Sequence, residues 1–153
     1  MLPLTINTTN TVTLLSLSKL LGNCVSPCVI SEAIRWAERP GGRKILVLGV
    51  NNTNIKLEWR WDLEGATFRD VQFERQKPGE NKAATVIASR FDNFGFTVFD
   101  QFVNEYDAKS PATLTLKNVD NNEEYIYTIV LSSLSSRYLS TLKDQVTVVV
   151  YGT

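Results

Sequence analysis

The feature that most constrains this chain is a series of short runs of β-branched and aromatic residues that begins near Lys44. Turn clusters rich in Asn, Asp, Gly and Pro separate the runs at intervals of roughly 8–12 residues, a spacing typical of antiparallel β-proteins. We therefore predict an all-β sandwich. The predicted strands cover residues 44–50, 54–61, 70–76, 84–88, 96–99, 112–118, 124–131 and 145–151.

Alternation within these runs predicts which side chains enter the core. Ile55, Leu57 and Trp59 fall on one face of their strand, because successive side chains of a strand point to opposite faces. Tyr127 and Ile129 share a core face in the same way. The opposite face of that strand then carries Ile126, Thr128 and Val130, and we expect its cross-strand neighbours to be Gln72, Glu74 and Gln76.

The first 43 residues depart from this pattern. Residues 11–17 have the composition of a strand, whereas residues 31–38 predict a short helix that Ser31 caps and Pro40 ends. We treat residues 1–43 as an N-terminal extension packed on a domain of residues 44–153. A helix before a strand could also open a nucleotide-binding βαβ unit, but no Gly-x-Gly-x-x-Gly follows.

Charge and composition exclude several functions. The chain has 16 Lys and Arg against 16 Asp and Glu, so it lacks the basic surface that nucleic acid binding requires. It has no histidine, the residue that most often serves as a catalytic base or zinc ligand. We expect no enzyme activity, cofactor or metal. No run of 18 apolar residues occurs, so any membrane anchor is expected outside this chain.

Two further motifs leave alternatives open. Cys24 and Cys28 could form a short-loop disulfide or remain two free thiols. Such a small loop would stabilise the fold little, because the loop-closure contribution is smallest for short loops. Asn7 and Asn51 begin N-x-[ST] sequons, which are candidates for N-glycosylation and weakly favour an extracellular setting.

Four segments in order resemble a variable-type immunoglobulin domain. Residues 73–79 (FERQKPG) resemble the third strand and its turn, and residues 89–91 (SRF) resemble the start of the fourth-strand region. Residues 112–119 (ATLTLKNV) resemble the fifth strand, and residues 123–129 (EEYIYTI) resemble the segment that contains the tyrosine corner. The resemblance implies a Greek-key sandwich.

The resemblance also implies structural roles for particular residues. Trp59 and Ile129 stand where such domains have the cysteines of the intersheet disulfide, and Phe73 stands at the core tryptophan. This domain would therefore lack that disulfide and fill the space by side-chain volume. Tyr127 is expected to bond to backbone near residues 120–122. Arg90 and Glu123 resemble the salt bridge that closes one end of such domains.

The combined motifs resemble the cnidarian cell-surface receptors of the immunoglobulin superfamily, among them the allorecognition receptors of colonial hydroids. The resemblance implies an extracellular ectodomain that binds the same domain on an opposing cell. We take Gln72, Glu74, Gln76, Ile126, Thr128 and Val130 as the partner-binding face, since apolar groups rimmed by polar ones suit recognition. The alternative is that another strand or the N-terminal extension covers these residues.

Two other functions compete with this prediction. The same fold could bind a different protein, as a heterophilic receptor. A β-sandwich that binds a small ligand or carbohydrate is the more distant alternative, and an aromatic platform of Trp36, Phe94 and Phe96 would be its sign.

Overall fold

The computed structural model describes residues 6–7, 11–14, 28–30, 33–40, 44–49, 54–119, 122–134 and 139–152. These residues form β-strands and one short 3-10 helix, Asp100–Phe102, and include no α-helix. The strands are β1 (Ile6–Asn7), β2 (Thr11–Leu14), β3 (Cys28–Ile30), β4 (Ala33–Glu38), β5 (Lys44–Gly49), β6 (Ile55–Glu58), β7 (Arg60–Glu64), β8 (Thr67–Gln76), β9 (Thr85–Phe91), β10 (Thr97–Val98), β11 (Tyr106–Lys109), β12 (Thr113–Leu116), β13 (Glu123–Leu134) and β14 (Leu139–Gly152).

The largest sheet has six strands in the order β10-β9-β8-β13-β14-β5. All its neighbours are antiparallel except β5, which runs parallel to β14. The long hairpin β13–β14 and its partner β8 form the centre of the sheet. The alternation predicted for β13 therefore places one row of its side chains in the core and the other on the outside.

The second layer consists of β11-β12-β6 and the pair β4-β7. Between β6 and β7 lies Trp59, whose backbone N–H donates to the carbonyl of Ala112 at 3.0 Å. Buried side chains from both layers belong to one hydrophobic cluster. The described residues thus form an all-β protein with one mixed sheet and one shared core, consistent with a β-sandwich.

Trp59 lies at the centre of this core. It is 1% exposed, and its ring centroid lies 5.7 Å from that of Phe73, which is also 1% exposed. Tyr127 and Ile129 lie in the same cluster. The indole N–H of Trp59 donates to the carboxylate of Asp144 on β14 at 2.8 Å, so a hydrogen bond joins the two layers beside the packed rings.

The helix predicted over residues 31–38 is wrong, because residues 33–38 form strand β4. Ile34 is 4% exposed and lies in the core, whereas Arg35 and Ala37 are exposed, which is the period of a strand. Pairing with β7 aligns Trp36 with Trp61. Tertiary pairing thus overrides the local helix propensity of Glu and Ala.

The rest of the extension is described only in part. β1, β2 and β3 form a separate three-stranded sheet, which includes part of the strand predicted over residues 11–17. Asn7 lies in β1 and Cys28 begins β3. Cys24, Asn51 and Ser31 lie outside the described residues. The predicted disulfide and glycosylation therefore stay predictions.

Candidate recognition surface

The six residues predicted to bind a partner lie together on the side of the six-stranded sheet that points away from the core. We call this side the outer face. Tyr127, Ile129 and Leu131 of β13 lie in the core, so the residues between them point outward. The register pairs Ile126 with Gln76, Thr128 with Glu74, and Val130 with Gln72.

The centre of the outer face is more closed than the sequence indicates. Thr128 is 7% exposed and Val130 is 8% exposed, although neither belongs to the core cluster. Gln145 on β14 donates to the Thr128 hydroxyl at 3.1 Å, and Gln72 donates to Glu74 at 2.6 Å. Polar side chains of the neighbouring strands therefore surround Thr128 and Val130, whereas Ile126 remains half-buried.

Two further exposed apolar side chains of the outer face lie at its β5 edge. Leu46 on β5 is 62% exposed and pairs with Val149, which is 8% exposed. Tyr151 continues the same row of β14 and is 48% exposed. Sequence analysis missed Leu46, because the unbroken apolar run of residues 45–48 contains no alternation that reveals its outward side.

Charges of both signs flank these apolar groups. Lys44 lies 3.9 Å from Glu124, and both side chains are largely exposed. Glu74 lies nearer the opposite edge, and Lys143 pairs with Val130 across β13 and β14. An exposed pair of this kind stabilises the fold by at most about 1 kcal/mol. The mixed signs suit contact with a surface that also carries both signs.

A cleft at the end of the sandwich nearest the start of β13 contains a polar cluster. The cleft has a volume of about 350 Å³, and the side chain of Arg75 forms part of its lining. The Arg75 guanidinium donates to Glu105 and to the Tyr106 hydroxyl, each at 2.7 Å, and lies over the rings of Phe102 and Tyr125 at 4.6 and 5.1 Å. These contacts join β8 of one layer to β11 of the other.

Two tyrosine hydroxyls complete this cluster. The hydroxyls of Tyr106 and Tyr127 lie 3.1 Å apart and are buried. Burial raises the pKa of both phenols above the ordinary value, and at Tyr106 the hydrogen bonds from Tyr127 and Arg75 oppose that rise. Burial also disfavours the charged form of Arg75, but hydrogen bonds and attraction to Tyr106 and Glu105 outweigh it and raise the guanidinium pKa. The phenols therefore stay neutral near pH 7.

The hydrogen-bond partner described for Tyr127 is a side chain, whereas the sequence predicts the backbone of the turn at residues 120–122. Residues 120 and 121 lie outside the described residues, so the predicted backbone bond stays a prediction.

The salt bridge predicted between Arg90 and Glu123 is not formed. Arg90 pairs with Val71, which in turn pairs with Leu131, whereas Glu123 lies at the opposite end of β13. The Arg90 guanidinium donates to the carbonyls of Phe94 and Pro111 at 3.0 and 3.1 Å. It therefore closes the other end of the sandwich.

The aromatic platform of the carbohydrate alternative is not assembled. Phe96 stacks on Phe73 with centroids 5.1 Å apart, and Trp36 lies on β4 in the other layer. Phe94 is 75% exposed. Within the described ranges, no group of three or more His, Cys, Asp or Glu residues could hold a metal ion.

Comparisons with known proteins give no identification. No known protein family matches this chain. No curated protein sequence matches it either. In the part of the chain that the structure describes, no helix is long and apolar enough to cross a membrane.

Proposed function

We propose that this chain contains a variable-type immunoglobulin domain. The order β8-β13-β14 supports this assignment, because it matches the three-stranded centre of one sheet of such domains, and β9 and β10 match the two additional strands of the variable type. The strands β6, β12 and β11 match the opposite sheet. Trp59 and Ile129 fill the place of the intersheet disulfide.

We further propose that the domain is an extracellular cell–cell recognition module that binds a second copy of itself on an opposing cell. The observation that carries this proposal is the outer face, where Ile126 and Tyr151 lie among charges of both signs. Because the net charge of the chain is zero, two copies approach without net repulsion. A single contact between two such faces would be weak, and many of them between two membranes would give adhesion through avidity.

A bead-aggregation assay tests homophilic binding through this face. The domain is displayed densely on beads, and aggregation is compared for the native chain, Ile126→Asp and Thr147→Lys. Thr147 is the cross-strand neighbour of Ile126, so both changes place a charge at the same part of the outer face. We expect native beads to aggregate and both variants to reduce aggregation at least about tenfold, as the loss of roughly 1.4 kcal/mol per contact predicts.

Lys56→Gln is the matched control. Lys56 is exposed on β6 in the other layer, and its substitution lowers the net charge by one, as Ile126→Asp does. If both outer-face variants aggregate normally and thermal unfolding shows that they are folded, the outer face is not the binding surface. Native beads that bind cells but not one another would instead favour the heterophilic receptor.

A further inference from the structure

The two edges of the six-stranded sheet differ in how well they are protected. At one edge β10 has only two residues, and the 3-10 helix Asp100–Phe102 follows it closely. At the other edge β5 has six residues that pair with β14 in an unbroken register. Natural sheets block open edges with short strands, bulges, prolines or charges, because an open edge offers unpaired backbone groups to another strand.

Strand β5 has few of these protective features. It contains no proline, its pairing with β14 has no bulge, and its one charged residue, Lys44, lies at its first position. Leu46 near its middle is 62% exposed. Among the described strands, β14 is the only hydrogen-bonded neighbour of β5. Within the part of the chain that the structure describes, the sheet therefore has one blocked edge and one edge that can accept a strand.

We propose that β5 pairs with β5 of a second copy, antiparallel, so that the two six-stranded sheets join edge to edge. Charge favours the antiparallel orientation, because it places the two Lys44 side chains at opposite ends of the pair, whereas a parallel in-register pair would set them side by side. This contact covers Leu46 at the edge of the sheet and does not involve Ile126, which lies in the proposed contact across the outer face.

Symmetry and side-chain alternation restrict the register to pairings in which residues of the same face oppose one another, and we propose the one that sets the two exposed Leu46 side chains against each other. Directly opposed residues of an antiparallel pair point to the same face. Leu46 points to the outer face and Ile45 and Val47 are half-buried on the core side, so a two-fold axis keeps both faces continuous when Leu46 lies opposite Leu46 of the second copy. Ile45 then lies opposite Val47 of the second copy, and the most exposed leucine of this edge becomes covered.

The area of the contact sets its strength. One six-residue strand pair buries far less than the roughly 1,200–2,000 Å² of a stable interface, so the free domain should dimerise weakly. Copies tethered to one surface have a high local concentration, and there a weak lateral pair becomes populated. The edge thus suits lateral association on one cell, beside recognition between cells.

Charge-swapped variants test the register directly. Sedimentation equilibrium of the full chain, from micromolar to millimolar concentration, is performed on the native chain, Leu46→Lys, Leu46→Glu and an equimolar mixture of the two variants. We expect weak native dimers, about fivefold or greater weakening in each variant alone, and recovery in the mixture, because opposite charges then face each other across the axis. Leu134→Lys, at a position 52% exposed on the β13–β14 hairpin, is the control and should dimerise normally.

Hydrogen exchange provides a second measurement that contact across the outer face would not change. Backbone amides of residues 44–49 that point to the open edge should exchange more slowly at high than at low protein concentration. A strictly monomeric native chain, a mixture that does not recover, or unchanged exchange in residues 44–49 would overturn edge pairing. Loss of dimers in Ile126→Asp with normal dimers in both Leu46 variants would also overturn it and would leave the recognition proposal standing.

Discussion

At the scale of single residues, Trp59 and Asp144 join the two layers of the fold. The ring of Trp59 fills the core against Phe73, and its N–H reaches the partly buried carboxylate of Asp144 on β14 at 2.8 Å. A buried N–H that loses its acceptor costs about 1–3 kcal/mol. Arg39 lies 3.5 Å from the same carboxylate but is half exposed, so it adds little.

Two substitutions of Asp144 separate the hydrogen bond from the charge. Asp144→Ala leaves the Trp59 indole without its acceptor and should lower the free energy of unfolding by about 2–3 kcal/mol. Asp144→Asn retains an acceptor oxygen and should cost about 1 kcal/mol. Urea denaturation measures both values. Equal losses in the two variants would mean that the charge, and not the acceptor, stabilises the fold here.

At the scale of elements, β4 shows that the sandwich begins before residue 44. Its pairing with β7 places Ile34 among the core residues, while Arg35 reaches the exposed or half-buried carboxylates of Asp62 and Glu64. β4 lies in one layer, and β5, the next strand along the chain, lies in the other. Two consecutive strands thus form one edge of each layer.

Truncation of Ile34 tests whether β4 is an integral part of the domain. Ile34→Ala should lower the free energy of unfolding by about 2–4 kcal/mol, because the side chain is 4% exposed and leaves a cavity. Arg35→Ala on the outward side of the same strand should cost less than about 1 kcal/mol, since its ion pairs are largely exposed. Urea denaturation compares the two, and a small loss for Ile34→Ala would contradict the core position of β4.

At the scale of the whole molecule, the buried tyrosines predict how stability depends on pH. Because burial raises the pKa of Tyr106 and Tyr127 in the folded state, the unfolded chain loses these protons first, near pH 10. The free energy of unfolding should therefore fall above pH 10 by up to about 1.4 kcal/mol per pH unit for each tyrosine.

The variant Tyr127→Phe isolates this contribution from the lysines that titrate in the same range. It removes one of the two buried phenols. The free energy of unfolding should then fall less steeply above pH 10, by about 1.4 kcal/mol per pH unit, which corresponds to one proton. Chemical denaturation at a series of pH values between 8 and about 11.5 measures both slopes. Identical slopes for the two proteins would show that Tyr127 does not titrate differently on unfolding.

Much of the fold could be predicted from the sequence, since residues such as Leu57 alternate with polar neighbours and turns separate the strands. The strand over residues 33–38 could not be predicted, because Glu and Ala favour a helix locally and the strand forms only through its pairing with β7. The outward direction of Ile126, Thr128 and Val130 follows from alternation. The exposed fraction of these side chains does not follow from alternation, because it depends on the neighbouring side chains of β8 and β14.

The parallel pairing of β5 with β14 has a mechanical consequence. Tension that pulls Lys44 and Gly152 apart would slide the two strands past each other along their length. The ladder of hydrogen bonds between them would then bear the force together and would not open one bond at a time, as a hairpin pulled from its ends does. The edge of the sheet should therefore resist rupture better than its modest number of hydrogen bonds implies.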